Sequence, residues 1–300
     1  MLKLAFYLYA AGTIGIIDFY GYGELEPAKL RAALPLHEGG SLPSEKQKLA
    51  AEASLKQTTG RDAAVSRVCC LENGRWIIYV GLAEPGAPAV RYNPRPAGNA
   101  RMPVEIDKLF QRMDADLYDA VRKNQAEEDD SQGYALMKYP PLRADQIKLR
   151  EWAKAHTFEI ANTVESAGDD NERSEATEAL GYAEKSPRQI EALVRAAFDP
   201  SEAVRNNAAR ALVVLCHSDE KVATQIPAER FIPLLHSLVW TDRNKALGLL
   251  EAMTAGRDPA LLAKVRAGAL DSLREMAAWR NAGHAYAAQQ ILARIEDKPE

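Results

Sequence analysis

The chain has 300 residues, of which 47% are hydrophobic and 27% charged, with a formal net charge of −4. That length allows two domains with sizeable cores, and the balance excludes a chain built as a polycation for nucleic acid. Residues 1–101 carry 12 Lys+Arg and 9 Asp+Glu, whereas the remainder carries 26 and 33, net −7, so the C-terminal part offers no basic groove.

No apolar run reaches the roughly 18 residues needed to span a bilayer. The nearest is Leu4 to Ile17, which contains Gly12, Thr13 and Gly15. Lys3 ahead of it and the small pair Ala10-Ala11 read as a short signal peptide, with an N-terminal extension over residues 1–13 as the alternative. Export, to the periplasm or an equivalent space, is the expectation carried forward, and a cytoplasmic chain is the alternative.

Ile14 to Tyr20 is rich in β-branched and aromatic residues and reads as a strand ended by Gly21-Tyr22-Gly23. Glu26 to Leu34 reads as a short helix. Pro43 and Ser44 open a second helix that runs to about Thr58 and stops at Gly60. Val65 to Leu71 and Trp76 to Leu82 flank Asn73-Gly74, the dipeptide of a two-residue hairpin turn. That turn would set Leu71 opposite Trp76 and Cys69 opposite Ile78. The core face would hold Val65, Cys69, Leu71, Trp76, Ile78, Val80 and Leu82.

The order strand–helix–helix–strand–strand over residues 14–84 resembles a POTRA module. Ile17-Asp18-Phe19-Tyr20-Gly21, Leu30 to Leu34 and Pro35-Leu36-His37-Glu38-Gly39 carry the likeness. The resemblance implies a bacterial periplasmic or organellar location and the binding of polypeptides. It also implies that Val65 to Leu71 lies at the sheet edge. With the Asn73-Gly74 turn, Arg67, Cys69 and Leu71 would then point their N–H groups outward for an added strand.

Five prolines between Pro85 and Pro103 mark 85–102 as a Pro-rich linker, and residues 103–300 as a helical domain. Pro103 opens an amphipathic helix with Ile106, Leu109, Phe110, Met113, Leu117, Ala120 and Val121 on its stripe. After Tyr139-Pro140-Pro141 a helix is expected from about Arg143 to Ser166. Others are expected near 171–184, 187–198, 201–217, 228–239, 242–255, 259–277 and 283–296. Asp199 is the expected cap of the helix that follows Pro200.

One frame recurs along these helices. Arg205 is followed by Ala208 at +3 and Leu212 at +7; Arg173 by Ala176 and Leu180; Arg243 by Ala246 and Leu250; and His284, more loosely, by Ala287 and Ile291. The intervals are 32, 38 and 41 residues, the period of helical solenoids. Asp199-Pro200 with Val204-Arg205, Ala208 and Ala211-Leu212 resembles the second helix of a HEAT repeat, and the likeness covers about 145–297. A tetratricopeptide unit is the second reading, but Gly181 and Pro200 lie too close together for it. Arg173, Arg205 and Arg243 are expected to be structural anchors.

The fold class expected is therefore an α+β N-terminal domain (β-α-α-β-β) followed by an all-α, HEAT-like solenoid. Cys69 and Cys70, adjacent in a strand, would face opposite sides, so three free thiols are expected. His156 falls on the stripe of Leu149, Trp152, Ile160 and Val164 and reads as a core residue. Cys216-His217 with His236 lacks an orienting third group, and Glu127 to Asp130 lacks the spacing of a calcium loop. No cofactor, metal site or catalytic constellation is expected. The function expected is a non-catalytic scaffold for an unidentified protein or peptide partner, without nucleic acid. The alternatives are a cytoplasmic HEAT-type adaptor and, third, an enzyme using the concave face of the solenoid.

Overall fold

The structure is a computed structural model that describes residues 12–71, 73–123 and 125–296. The expected signal peptide lies largely, and Glu72 wholly, outside them. The chain is mostly helical, with a small three-stranded sheet near its N-terminus. It divides into two compact units. Among the described residues, unit one holds those up to Val90 and from Ala228 on; unit two is Arg91–Pro227.

In unit one the sheet order is β1-β3-β2. β1 (Ile14–Tyr20) runs parallel to β3 (Trp76–Leu82), and β2 (Ala63–Val68) pairs antiparallel with β3. α1 (Pro27–Ala33) and α2 (Glu45–Thr59) lie between β1 and β2 in the chain. Ser44 and Gln47 form a capping box at the start of α2, and Gly60 ends it with φ 72°. Val65, Ile78, Val80 and Leu82 join Ile14, Ile17, Leu30 and Leu55 in one core, so the face chosen from alternation is the one that packs against the helices.

The opposite face is covered as well. α10 (Ala228–Phe231), a 3-10 helix (Ile232–His236), α11 (Trp240–Thr254), α12 (Pro259–Ala277) and α13 (Ala282–Ile295) belong to the same unit. Tyr79 stacks on Trp240 at 5.1 Å between ring centres, touches Trp279 at 4.8 Å, and its hydroxyl lies 2.7 Å from His284 Nδ1. Trp279 Nε1 donates to Phe19 O (3.2 Å) and Tyr20 Oη to Leu238 O (2.9 Å). Arg280 Nε donates to Asp18 Oδ1 at 2.8 Å. Burial on both faces is why Trp76 to Leu82 is apolar at almost every position rather than at alternate ones.

The hairpin differs from the expected one. Val68 is opposite Ile77 and Ser66 opposite Tyr79, two residues away from the expected register. Leu71 N–H donates to Arg75 O and Gly74 N–H to Leu71 O, with Gly74 at φ 76°. The loop is thus longer than two residues, and Cys69 and Cys70 lie in it rather than in β2. A two-residue slip preserves the side-chain alternation, which is why the core face survives.

Unit two holds α3 (Val104–Arg122), the short pair β4 (Glu128–Asp129) and β5 (Leu136–Met137), and then α4 (Pro140–Ala155), α5 (Thr157–Ser166), α6 (Asp170–Gly181), α7 (Pro187–Ala196), α8 (Glu202–Ser218) and α9 (Glu220–Ala223). The helix expected over 143–166 is two helices that meet at His156. His156 is half-exposed, stacked on Trp152 and bonded to Glu159, not a core residue. The helix expected over 228–239 is α10 continued as the 3-10 helix, with Pro233 in that helix. On α3, Ile106, Leu109, Phe110, Met113 and Ala120 are buried as expected, but Leu117 and Val121 are exposed.

The Pro-rich segment has no helix or strand through 91–97, yet it is docked. Asn93 N–H donates to Phe198 O (2.6 Å), Arg95 Nε to Gly168 O (2.9 Å), Gly98 N–H to Ser166 O (2.9 Å) and Met102 N–H to Glu172 Oε2 (2.7 Å). It lies as a strap over the turns between α5 and α6 and after α7, supplying donors to carbonyls that helix ends leave open.

Candidate functional site

The repeated arginines are buried. Each sends its guanidinium to the carbonyl six residues before it: Arg173 to Ala167 O (2.9 Å), Arg205 to Asp199 O (2.9 Å) and Arg243 to Ser237 O (2.6 Å). The group therefore closes the turn leading into its own helix. Arg173 also makes a two-pronged ion pair with Asp199, Nε–Oδ2 2.8 Å and Nη2–Oδ1 2.9 Å. Asp199 is thereby engaged, and Ser201 is the N-cap of α8. Arg205 lies beneath the Tyr92 ring at 4.2 Å. Arg243 pairs with Glu84 and sits over Tyr20 at 4.6 Å. The Ala and Leu at +3 and +7 are buried in all three copies.

The remaining candidate chemistry is also committed. His236 has Nδ1 on Glu84 (2.6 Å) and Nε2 on Gly268 O (2.7 Å), so both nitrogens donate and the ring is an imidazolium. The Glu84 hydrogen bond holds it above the ordinary histidine value. Burial alone would raise the Glu84 carboxyl, but His236 and Arg243 outweigh it and hold it low. Cys216 is buried and its thiol is pushed up to about 12 by that burial, which removes it as a nucleophile. His217 pairs with Asp130 at 2.8 Å. In the acidic run, Glu127 pairs with Lys138, Glu128 with Arg210 and Asp129 with Arg143. Among the described residues, no three His, Cys, Asp or Glu side chains gather as metal ligands.

The edge-strand residues are placed differently from expectation. β2 does lie at the sheet edge, with Arg67 in it. Val65, on the same outward parity, already donates its N–H to Glu52 Oε1 at 2.9 Å. The Arg67 guanidinium is held by Pro43 O and Glu45. Leu71 N–H, expected outward, is spent on Arg75 O. Cys69 and Cys70 are joined in a disulfide, so only Cys216 is a free thiol. β2 ends at Val68, so the strand alternation that would set Cys69 and Cys70 on opposite faces does not reach them.

A small cleft of about 20 Å³ opens in unit two between α6 and α8. Gly181 and Ala211 bring the two helices together beside it: a Cβ on Gly181 would stand 3.1 Å from Ala211 Cβ. Glu178 and Tyr182, one turn apart at the end of α6, look across it to Asn207 and Arg210 on α8. Arg210 is neutralised by Glu128. Asn207 is fixed by donating to Ser174 O and Oγ, both at 3.2 Å. The Tyr182 hydroxyl is buried, the residue being 3% exposed, with the Gln146 side chain beside it.

The electrostatics are acidic. Glu172, Glu175 and Glu178 repeat every three residues along α6, and Asp107 of α3 shares a hydrogen bond with Glu175. Burial, with the charges of Asp107, Glu172 and Asp114, pushes Glu175 up to about 8. The protonated form of Glu175 is thereby favoured. Burial also raises Glu178, against the pull of Arg210 and with Asp114 and Glu128 adding to the rise. Unit two as a whole carries 19 Lys+Arg and 24 Asp+Glu, net −5. No motif in the sequence marks this site. Its one signal was three like charges at i, i+3 and i+6, a spacing that disfavours an isolated helix.

No family model matches the chain, and no curated protein matches it. Two crystal structures of engineered proteins from the Northeast Structural Genomics Consortium are similar to it. One is 20% identical over 52% of this chain and 44% of its own, with a TM-score of 0.41. The other is 19% identical over 64% and 79%, also with a TM-score of 0.41. The chain thus spans less than half the length of the first, and at these scores neither carries an argument about fold or function.

Proposed function

We propose that this chain is a non-catalytic scaffold that binds a polypeptide partner, and that the partner docks at the α6–α8 cleft of unit two. One observation carries the reading: the concave surface between α6 and α8 gathers polar side chains, Glu178, Asn207 and Arg210, in the acidic unit of the chain. The histidines and the buried thiol that an enzyme would use are instead bonded or inert. The regular arginine anchors support helical pairs of the HEAT type, and the β-α-α-β-β order of unit one supports a POTRA-like module. Strand addition at β2 is the weaker reading, because Glu52 occupies the Val65 N–H.

The test is affinity purification of the full chain from its native cells, wild type against Asn207→Trp, which fills the cleft. A partner recovered by the wild type and lost from the variant supports the proposal. A partner recovered equally by both refutes the cleft as the docking site. An export assay on residues 1–20 fused to a reporter decides the compartment.

A further inference from the structure

We propose that Asn73 is a modification site: it converts without an enzyme to aspartate and isoaspartate through a cyclic imide, and the isoaspartate form releases the end of the hairpin. The site belongs to unit one and does not depend on the docking reading.

Three observations carry this. The first is the neighbour. Asn73-Gly74 is the only Asn-Gly pair in the sequence. Ring closure needs the nitrogen of the following residue to reach the side-chain carbonyl carbon, and glycine has no Cβ to obstruct that approach. The second is position. Both residues are exposed and lie in the loop between β2 and β3, outside the strand ladder and open to water. The third is the local fold. Arg75 N–H donates to Asn73 Oδ1 at 3.1 Å. That bond turns the side chain back over the Gly74 nitrogen and draws electron density from its carbonyl carbon. Gly74 N–H donates to Leu71 O at 2.8 Å and must give up this bond to react, so the folded loop aims the step and also slows it.

The chemistry needs only water. The Gly74 nitrogen attacks Asn73 Cγ, the new C–N bond forms, the Cγ–Nδ2 bond breaks, and ammonia leaves with the Gly74 amide proton. Water then opens the imide. Opening at the side-chain carbon gives aspartate with an ordinary backbone. Opening at the main-chain carbon gives isoaspartate, whose chain runs through Cβ and Cγ and is one methylene longer.

That extra methylene falls between the two residues that close the loop. Leu71 N–H donates to Arg75 O at 2.8 Å. Both side chains lie against Gly15 of β1: a Cβ there would stand 2.6 Å from Leu71 Cδ1 and 2.8 Å from Arg75 Cβ. Trp76 N–H, the next donor, bonds Thr13 O at 2.8 Å. A longer path from Leu71 to Arg75 opposes these contacts together. Aspartate keeps the backbone and the acceptor for Arg75 N–H, so it leaves them in place.

The experiment incubates the full chain at pH 8 in native buffer and in urea. Peptide mapping by mass spectrometry reads the amide-to-acid exchange, and labelling by an isoaspartate-specific carboxyl methyltransferase reads the rearranged backbone. In native buffer the acid should accumulate at Asn73 at least about tenfold faster than at any other asparagine, each of which precedes a residue with a side chain. The urea sample should react faster still, because the Leu71 bond is gone. Asn73→Gln should lose the methyltransferase label. No conversion at Asn73 in native buffer while the urea sample converts, or equal conversion at all asparagines, overturns the site. Hydrogen exchange of the converted chain should rise in 13–16 and 71–76, whereas Asn73→Asp should match wild type. A chain converted to isoaspartate that exchanges like wild type overturns the release.

Discussion

Replacing Arg173 with Met tests how the helical pairs are held. Arg173 is fully buried, and its partner Asp199 is 8% exposed at the side chain. The guanidinium makes two bonds to Asp199, one to Ala167 O and one to Asp170. Removing it strands the Asp199 carboxylate, which keeps only the Ser201 N–H at 2.8 Å. Breaking a buried pair from one side costs about 3–5 kcal/mol, mostly as the uncompensated charge. Asp199→Asn alone keeps the Ser201 bond but leaves the guanidinium with a weaker acceptor, at about 1–3 kcal/mol. The double variant should recover part of the Arg173→Met loss, because no charge is left stranded, giving a coupling of about 1–3 kcal/mol. A chain of two units need not unfold in one step, so the assay is native-state hydrogen exchange of α6–α8 amides by mass spectrometry. A loss under about 1 kcal/mol, or a double variant that costs the full sum of the singles, would refute the reasoning.

Unit one should show the pH signature of the Glu84–His236 pair. His236 is raised in the folded state, so its contribution is complete below the ordinary imidazole value and is lost as pH rises through the raised one. Glu84 is lowered, so its contribution is present above the ordinary carboxyl value and lost as pH falls through the depressed one. Melting of Glu84→Gln from about pH 2 to about pH 9 should lack both shoulders, and a profile identical to wild type would contradict this. Gly21 has φ 69°, and a Cβ there would stand 2.1 Å from Leu82 O; Gly21→Ala should cost about 3 kcal/mol or more, and a melting temperature within a degree of wild type would refute it. Ala208 is fully buried and Ala209 nearly so; either one changed to Leu should therefore overpack α8 by about 1–3 kcal/mol, measured by exchange in that helix, and a neutral effect at both would mean the packing is wrong.

Helix positions were legible because caps, prolines and apolar periodicity are local signals. The starts of α7 at Pro187, after the Ser186 cap, and of α12 at Pro259, after Asp258, show this directly. The buried anchors were legible as a repeat but not as buried. Arg205 reads as a surface residue until the carbonyls it closes are seen. The joining of 228–300 to the sheet depends on contacts such as Trp279 with Phe19, 260 residues apart, for which spacing gives no signal. Only the unbroken apolar run of β3 hinted that both sheet faces are covered. The cleft was invisible for the same reason: Glu178 and Arg210 are brought together by the close approach of Gly181 to Ala211.

The most direct test of polypeptide docking at the α6–α8 cleft is hydrogen exchange on the full chain with and without the partner recovered by affinity purification. The account predicts partner-induced protection in 174–182 and 207–214, lost in Glu178→Gln. Protection confined to β2, with those segments unchanged, would contradict it and return the binding surface to the sheet edge.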